Sequence, residues 1–171
     1  YLRNERLQSI KKNEIKPWLK QRWCIGSMTS EYIWNMENVL TLYEQPHDPR
    51  HPMVCFDERP CQLIGDVLVP VPMKPGSPKK EHYEYIRNGT VCLQAAIDLI
   101  TGFVHYRITE KNNSEEFIEF LKNLDNQYPK NVKLKIILDN LKVHSSVITM
   151  QYLKTIPNRF EFIFTPKHAS W

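Results

Sequence analysis

From Glu31 to Tyr43 the apolar residues Ile33, Met36, Val39, Leu40 and Tyr43 recur at helical spacing behind Ser30, a residue suited to capping, and this predicts an amphipathic helix. A proline-rich turn, Gln45 to Pro52, follows. The apolar run Met53 to Phe56 then closes on Asp57 and reads as a strand. Leu68 to Lys80 holds four prolines, a glycine and three lysines, which excludes a central strand and predicts an exposed loop. Thr90 to Asp98 and Gly102 to Thr109 read as a hairpin joined by Leu99 to Thr101. Helical spacing returns at Phe117, Ile118, Phe120, Leu121 and Leu124, with Asn113 or Ser114 as cap and Glu115 and Glu116 in the first turn, where acids favour the helix dipole. Last come a strand from Lys133 to Asp139, a helix from about Ser145 to Lys154 and a strand from Phe160 to Phe164.

The order is strand, hairpin, helix, strand, helix, strand. An antiparallel start followed by two strands reached through helices implies an α/β fold, a mixed five-stranded sheet flanked by helices. That is the topology of an RNase H-like domain.

Composition adds bounds. A chain of 171 residues suffices for one full core. No apolar run approaches a membrane span, and Tyr1 to Lys12 has no signal-peptide core, so a cytoplasmic protein with no membrane partner is expected. Cys24, Cys55, Cys61 and Cys92 are scattered, which indicates neither a zinc knuckle nor a disulfide framework. Leu2 to Trp23 is polar, basic and interrupted by Pro17, so residues 1–30 read as a basic linker or arm and 31–171 as the folded domain. The chain lacks an initial Met and stops abruptly at Trp171, so both ends are expected to be cuts from something longer.

A net charge of +4 permits nucleic-acid binding without requiring it. Basic residues cluster at Lys11, Lys12, Lys16, Lys20 and Arg22, at Lys74, Lys79 and Lys80, and at Lys142, Lys154, Arg159 and Lys167. These form either a phosphate track, with Trp18, Trp23, Tyr83 and Tyr85 to stack on bases, or ordinary solvated charge over packed aromatics.

Asp57 and Asp139 each close an apolar strand-like run. Ligands of α/β sheets bind beyond the carboxyl ends of strands, so two acids there can converge on one oxygen-loving divalent ion. Either Asp taken alone is also explained as a turn or cap residue. Glu58 neighbours Asp57, but adjacent strand residues point to opposite faces, so it is not expected to be a ligand. Asp98 precedes a hairpin turn, which accounts for it.

Four segments occur together in order: Val54-Cys55-Phe56-Asp57-Glu58-Arg59-Pro60, Tyr83-Glu84-Tyr85-Ile86-Arg87-Asn88-Gly89-Thr90, Leu138-Asp139-Asn140-Leu141 with His144, and Thr165-Pro166-Lys167-His168-Ala169-Ser170-Trp171. With them the chain resembles, from about Trp18 onward, the catalytic domain of a bacterial insertion-sequence transposase of the mariner-like DDE endonuclease superfamily. The resemblance implies an enzyme that cuts and joins DNA strands. Asp57 matches the first catalytic acid and Asp139 the second; in the family these bind two divalent ions, Mg²⁺ or Mn²⁺, with a third acid. That acid normally follows the Ser-Trp of the last motif, so the domain is expected to stop short of it at Trp171. DNA, as transposon ends and target, is the implied partner, and family members act as dimers or higher assemblies, so a homodimer is implied too.

Lys79, Lys80, Arg87, Lys142, His144, Lys167 and His168 are candidate DNA contacts. His144 either orients a phosphate or a metal-bound water, or caps and packs. The chain departs from the family pattern at Lys142 and Val143, where Asn and Thr are usual, at Ala169, where Gly is common, and at His82, where an acid is usual. An inactive remnant that only binds DNA or a partner, and an RNase H-like nuclease, are the competing readings.

Overall fold

The computed structural model describes residues 28–167. Helix α1 spans Ser30–Glu44, strand β1 Met53–Asp66, β2 Tyr85–Asp98, β3 Val104–Thr109, helix α2 Ser114–Gln127, β4 Leu134–Leu138, helix α3 Val147–Thr155 and β5 Phe160–Phe164. The five strands form one sheet in the order β3-β2-β1-β4-β5. β1, β2 and β3 run antiparallel; β4 joins β1, and β5 joins β4, in parallel. The mixed RNase H-like sheet expected from the element order is the one observed.

Period-2 alternation splits the sheet into two faces. On one, Val54, Phe56, Ala96, Leu134, Ile136 and Leu138 meet Phe117, Phe120, Leu121 and Leu124 of α2 in the main core. Phe56 packs on Phe117 and Phe120 with ring centroids 5.2 and 4.8 Å apart. Truncating either partner to alanine costs about 3–5 kcal/mol. On the other face, Val39 and Leu42 of α1 cover Met53 and Ile137. The buried stripe of α1 is therefore narrower than its apolar spacing suggests: Ile33, Leu40 and Tyr43 stay exposed, because the helix lies over the β1–β4–β5 half only.

Both long strands run further than expected. β1 continues past Asp57 to Asp66 and β2 begins at Tyr85, and together they form a two-stranded ribbon with a register shift between Gln62 and Ile64. Pro60 is tolerated there because β4 has ended and β1 has a neighbour on one side only. Between the two strands, the proline-rich segment carries only isolated bridges, Val71 with Lys80 and Lys74 with Ser77, as its composition predicts. The β2–β3 turn is closed by Asp98, whose Oδ1 accepts from the Ile100 and Thr101 amides at 2.9 and 2.8 Å. Gly102, at φ +69°, supplies the left-handed residue that this turn needs.

The helix starts are capped by side chains. Thr29 caps α1 rather than Ser30, Asn113 caps α2 and Ser146 caps α3. Arg159, grouped in sequence with the surface lysines, is buried instead. Its guanidinium donates to Asp125 Oδ1 and to the carbonyls of Asp125, Tyr128, Pro129 and Val132, tying the end of α2 to the start of β5. Among the described residues no helix is long and apolar enough to cross a membrane.

Candidate active site

The parallel β1–β4 ladder ends with Cys55 opposite Ile137. Two residues further along each strand stand Asp57 and Asp139, so both acids sit at the same level of neighbouring strands. Their backbones are held differently. Asp57 remains in a ladder, opposite Ala95 of β2, whereas Asp139 lies beyond the last residue of β4.

Both side chains are exposed and line one open cleft of about 830 Å³. Cys55, Ala95 and Ile97 floor it, and Lys167 stands on its rim. Each carboxylate has one oxygen fixed locally. Asp57 Oδ1 accepts from the Glu58 amide at 2.9 Å, and Asp139 Oδ1 from the Leu141 amide at 2.9 Å. Asn140 donates its amide to the Thr165 carbonyl, and the Thr165 amide donates to Leu138 at 2.9 Å, so the loop after β4 is fastened to the end of β5.

Glu58 projects to the opposite face, as strand alternation requires, and there it has a role that local spacing does not reveal. Its side chain is 4% exposed and its Oε1 lies 2.8 Å from Nε2 of His144, a residue with no exposed side-chain surface. Nδ1 of His144 lies 3.1 Å from the Asp139 carbonyl oxygen and 3.3 Å from Asp139 Oδ1. The ring packs against Phe56 and Phe117, with centroids 5.6 and 4.6 Å away. Burial by itself lowers the pKa of His144, but the hydrogen bond and charge of Glu58, helped by Asp139, outweigh it and hold the pKa above the ordinary value. Every partner of the ring is an acceptor, so both nitrogens are best satisfied when both carry a proton.

The direct DNA contact expected of His144 has no surface to act through, because the ring is enclosed. The remaining candidates within the described residues are exposed. Lys142 stands just past Asp139. Lys167 also reaches Glu31, 3.1 Å away. Lys79 pairs with Glu81, and Lys79 and Lys80 lie in the proline-rich loop, away from the cleft lining. Arg87 lies on the β1–β2 ribbon with its guanidinium 5.9 Å from the Tyr85 ring centroid. His168 lies outside the described residues.

A tight donor cluster is formed by Glu58, Asp139 and His144, whose ligand atoms all lie within 4.8 Å of one another. The ring nitrogens of His144 are already engaged by the two carboxylate residues, and Glu58 is shut away from the cleft. The cluster is therefore better explained as a hydrogen-bonded support than as a cation site. The exposed oxygen donors of Asp57 and Asp139 are the pair that a hard divalent ion can reach from the cleft.

Comparison with solved structures finds the same fold in complexes of the Mos1 mariner transposase. The paired-end complex with Mn superposes with a TM-score of 0.58 at 18% identity, covering 98% of this chain and 51% of that one. The strand transfer complex gives 0.56 at 18% over 99% and 50%. The paired-end complex with Mg gives 0.54 at 18% over 99% and 50%. The chain thus spans about half the length of these proteins. No curated protein matches it. Residues 52–171 match the sequence profile of the DDE superfamily endonucleases, and with that match covering both acids and most of the sheet, the chain belongs to the DDE superfamily endonuclease family.

Proposed function

We propose that this domain is the catalytic core of a DNA transposase, which cuts a phosphodiester strand and joins a freed 3′ hydroxyl to another phosphodiester. The placement of Asp57 and Asp139 carries the reading: two exposed carboxylates, level with each other just past the β1–β4 ladder, open onto one cleft. Their donors are oxygens only, which suits Mg²⁺ or Mn²⁺ and disfavours zinc. Asp57, Asp139 and a third acid would hold two such ions, which would supply activation of the attacking water or hydroxyl and stabilisation of the leaving oxygen.

The residues of the chain do the positioning. The Glu58 and Leu141 amides each pin one oxygen of a catalytic carboxylate, which leaves the other to face the cleft. Lys142 and Lys167 place positive charge where the scissile strand must lie, with Lys79, Lys80 and Arg87 extending the track along the ribbon and its loop. Within residues 31–171 the domain supplies Asp57 and Asp139, and the family pattern calls for a third acid beside them. The Mos1 structures of the same fold are paired-end and strand transfer complexes, which supports DNA as the partner, and a homodimer is the assembly proposed with it.

Strand cleavage and joining by the whole protein in Mg²⁺ or Mn²⁺ tests the reading. Joined-strand products that disappear in Asp57→Ala and Asp139→Ala are the expected result. Hydrolysis alone, preferring RNA–DNA hybrids, would overturn transposition in favour of a nuclease, and activity that survives both substitutions would overturn the site.

A further inference from the structure

We propose that Glu58 and His144 are positioning residues that hang the second acid, Asp139, from the strand that carries the first. The proposal rests on the reading of Asp57 and Asp139 as the catalytic pair. Asp57 needs no such help, because its backbone is set by the β2 ladder. Asp139 is past the end of β4, and three contacts fix it: its own turn through the Leu141 amide, the Asn140–Thr165 link to β5, and the His144 ring. Of these, only the ring leads back to β1. Glu58 follows Asp57 in sequence, takes the opposite face, and reaches beneath the strands to Nε2, while Nδ1 meets both the carbonyl and the carboxylate of Asp139. The Asp57-Glu58 dipeptide therefore presents one acid to the cleft and uses the other to fix the distance to the acid across the gap.

A role in stability alone does not account for the pair. Placing a carboxylate and an imidazole among Phe56 and Phe117 has a desolvation cost, and apolar side chains of similar size generally serve a core as well or better. What an apolar pair cannot do is aim Asp139. Partners that orient a ligand through a hydrogen bond typically change metal affinity by about 10–100-fold when removed.

The test is Mn²⁺ affinity, read from the paramagnetic resonance signal of the free ion, together with amide hydrogen exchange at Leu141, whose N–H reports on the Asp139 carboxylate. The double variant Glu58→Leu/His144→Phe is expected to keep its unfolding temperature, to bind Mn²⁺ about tenfold or more weakly, and to exchange Leu141 faster. Glu58→Gln keeps an acceptor for Nε2 and is expected to lose far less. Leu124→Ala, a core truncation away from the cleft, should lower the unfolding temperature and leave Mn²⁺ affinity alone.

Unchanged Mn²⁺ affinity and Leu141 exchange in the double variant, with Asp57→Ala still abolishing binding, would overturn the positioning role and spare the catalytic assignment. Binding that survives both Asp57→Ala and Asp139→Ala would strike the assignment itself. A Glu58→Gln loss as large as that of Asp139→Ala would make Glu58 a ligand and overturn the proposal. If the double variant fails to fold, Glu58→Ala with the same two measurements decides.

Discussion

Asp57 and Asp139 stand level on neighbouring parallel strands, each two residues past the rung formed by Cys55 and Ile137. Two carboxylates facing one cleft repel each other without a cation. Asp57→Asn and Asp139→Asn keep the oxygen that each backbone amide uses and remove one of the charges. Either change is expected to leave the metal-free unfolding temperature unchanged or slightly higher, and to abolish the rise that Mn²⁺ produces. For the unmodified protein that rise corresponds to about 2.7 kcal/mol when Mn²⁺ is at a hundred times its Kd. Thermal melts with and without Mn²⁺ measure it, and a variant still stabilised by the ion removes that Asp from the site.

Gln94 lies opposite Glu58 on β2 and is completely buried, and neither amide atom has a hydrogen-bond partner among the described residues. An unpartnered buried polar group costs about 1–3 kcal/mol. Gln94→Met, which keeps the length of the side chain, is expected to stabilise the domain by about 1 kcal/mol in urea unfolding. A loss of stability instead would show that the amide has a partner in solution.

The parts of the fold written in strict patterns were legible. Leu134 to Leu138 is a short, largely apolar run buried within the sheet, Phe160 to Phe164 is a largely apolar run half-buried at its edge, and α2 repeats its aromatic and leucine positions at helical spacing. The outer halves of β1 and β2 were not, because the ribbon from Glu58 to Asp66 is largely solvated on both faces and has no alternation to detect. The same limit applies to the site. Alternation placed Glu58 correctly on the far face from Asp57, but nothing local says that a histidine of a later loop waits there. Arg159 looked like surface charge for a similar reason: its partners are carbonyls from Asp125 to Val132, brought to it only by packing.

Arg159 uses all five of its N–H donors on buried or half-buried acceptors. Arg159→Met strands those carbonyls and leaves Asp125 with Lys130 alone. The expected cost is about 3 kcal/mol or more, measured by denaturant unfolding. Arg159→Lys should recover only a small part, since an ammonium cannot reproduce the planar fork.

Acid is expected to weaken the fold through Asp98 and Asp125. Burial raises the pKa of each, but the backbone amides and Tyr128 hydroxyl at Asp98, and Lys130 and Arg159 at Asp125, more than reverse this and hold both below the ordinary value. Groups whose folded pKa is depressed give stability that is complete above the unfolded pKa and lost as pH falls through the folded one. The contribution of these two groups to the unfolding free energy should therefore be complete above about pH 5 and fall once pH drops below about 3.9. Asp98→Asn should be less stable at pH 7 and show a shallower acid slope; a slope equal to the parent's would remove Asp98 as a cause.

Lys167 lines the cleft and Lys142 is exposed three residues past Asp139, whereas Lys79 is paired with Glu81 in the proline-rich loop. A lysine that neutralises one DNA phosphate adds about 0.9 to the slope of log affinity against log salt. Lys142→Ala and Lys167→Ala are each expected to lower that slope by about 1 and to weaken binding equally for all sequences, with Lys79→Ala having the smaller effect. Lys167 has a competitor: Glu31 Oε1 lies 3.1 Å from its ammonium, so α1 holds the cation that the DNA backbone needs. Glu31→Gln should therefore tighten DNA binding and steepen the salt slope. Titrations of labelled DNA at several salt concentrations decide it, because a Glu31→Gln variant that binds no better would mean that Lys167 does not contact phosphate.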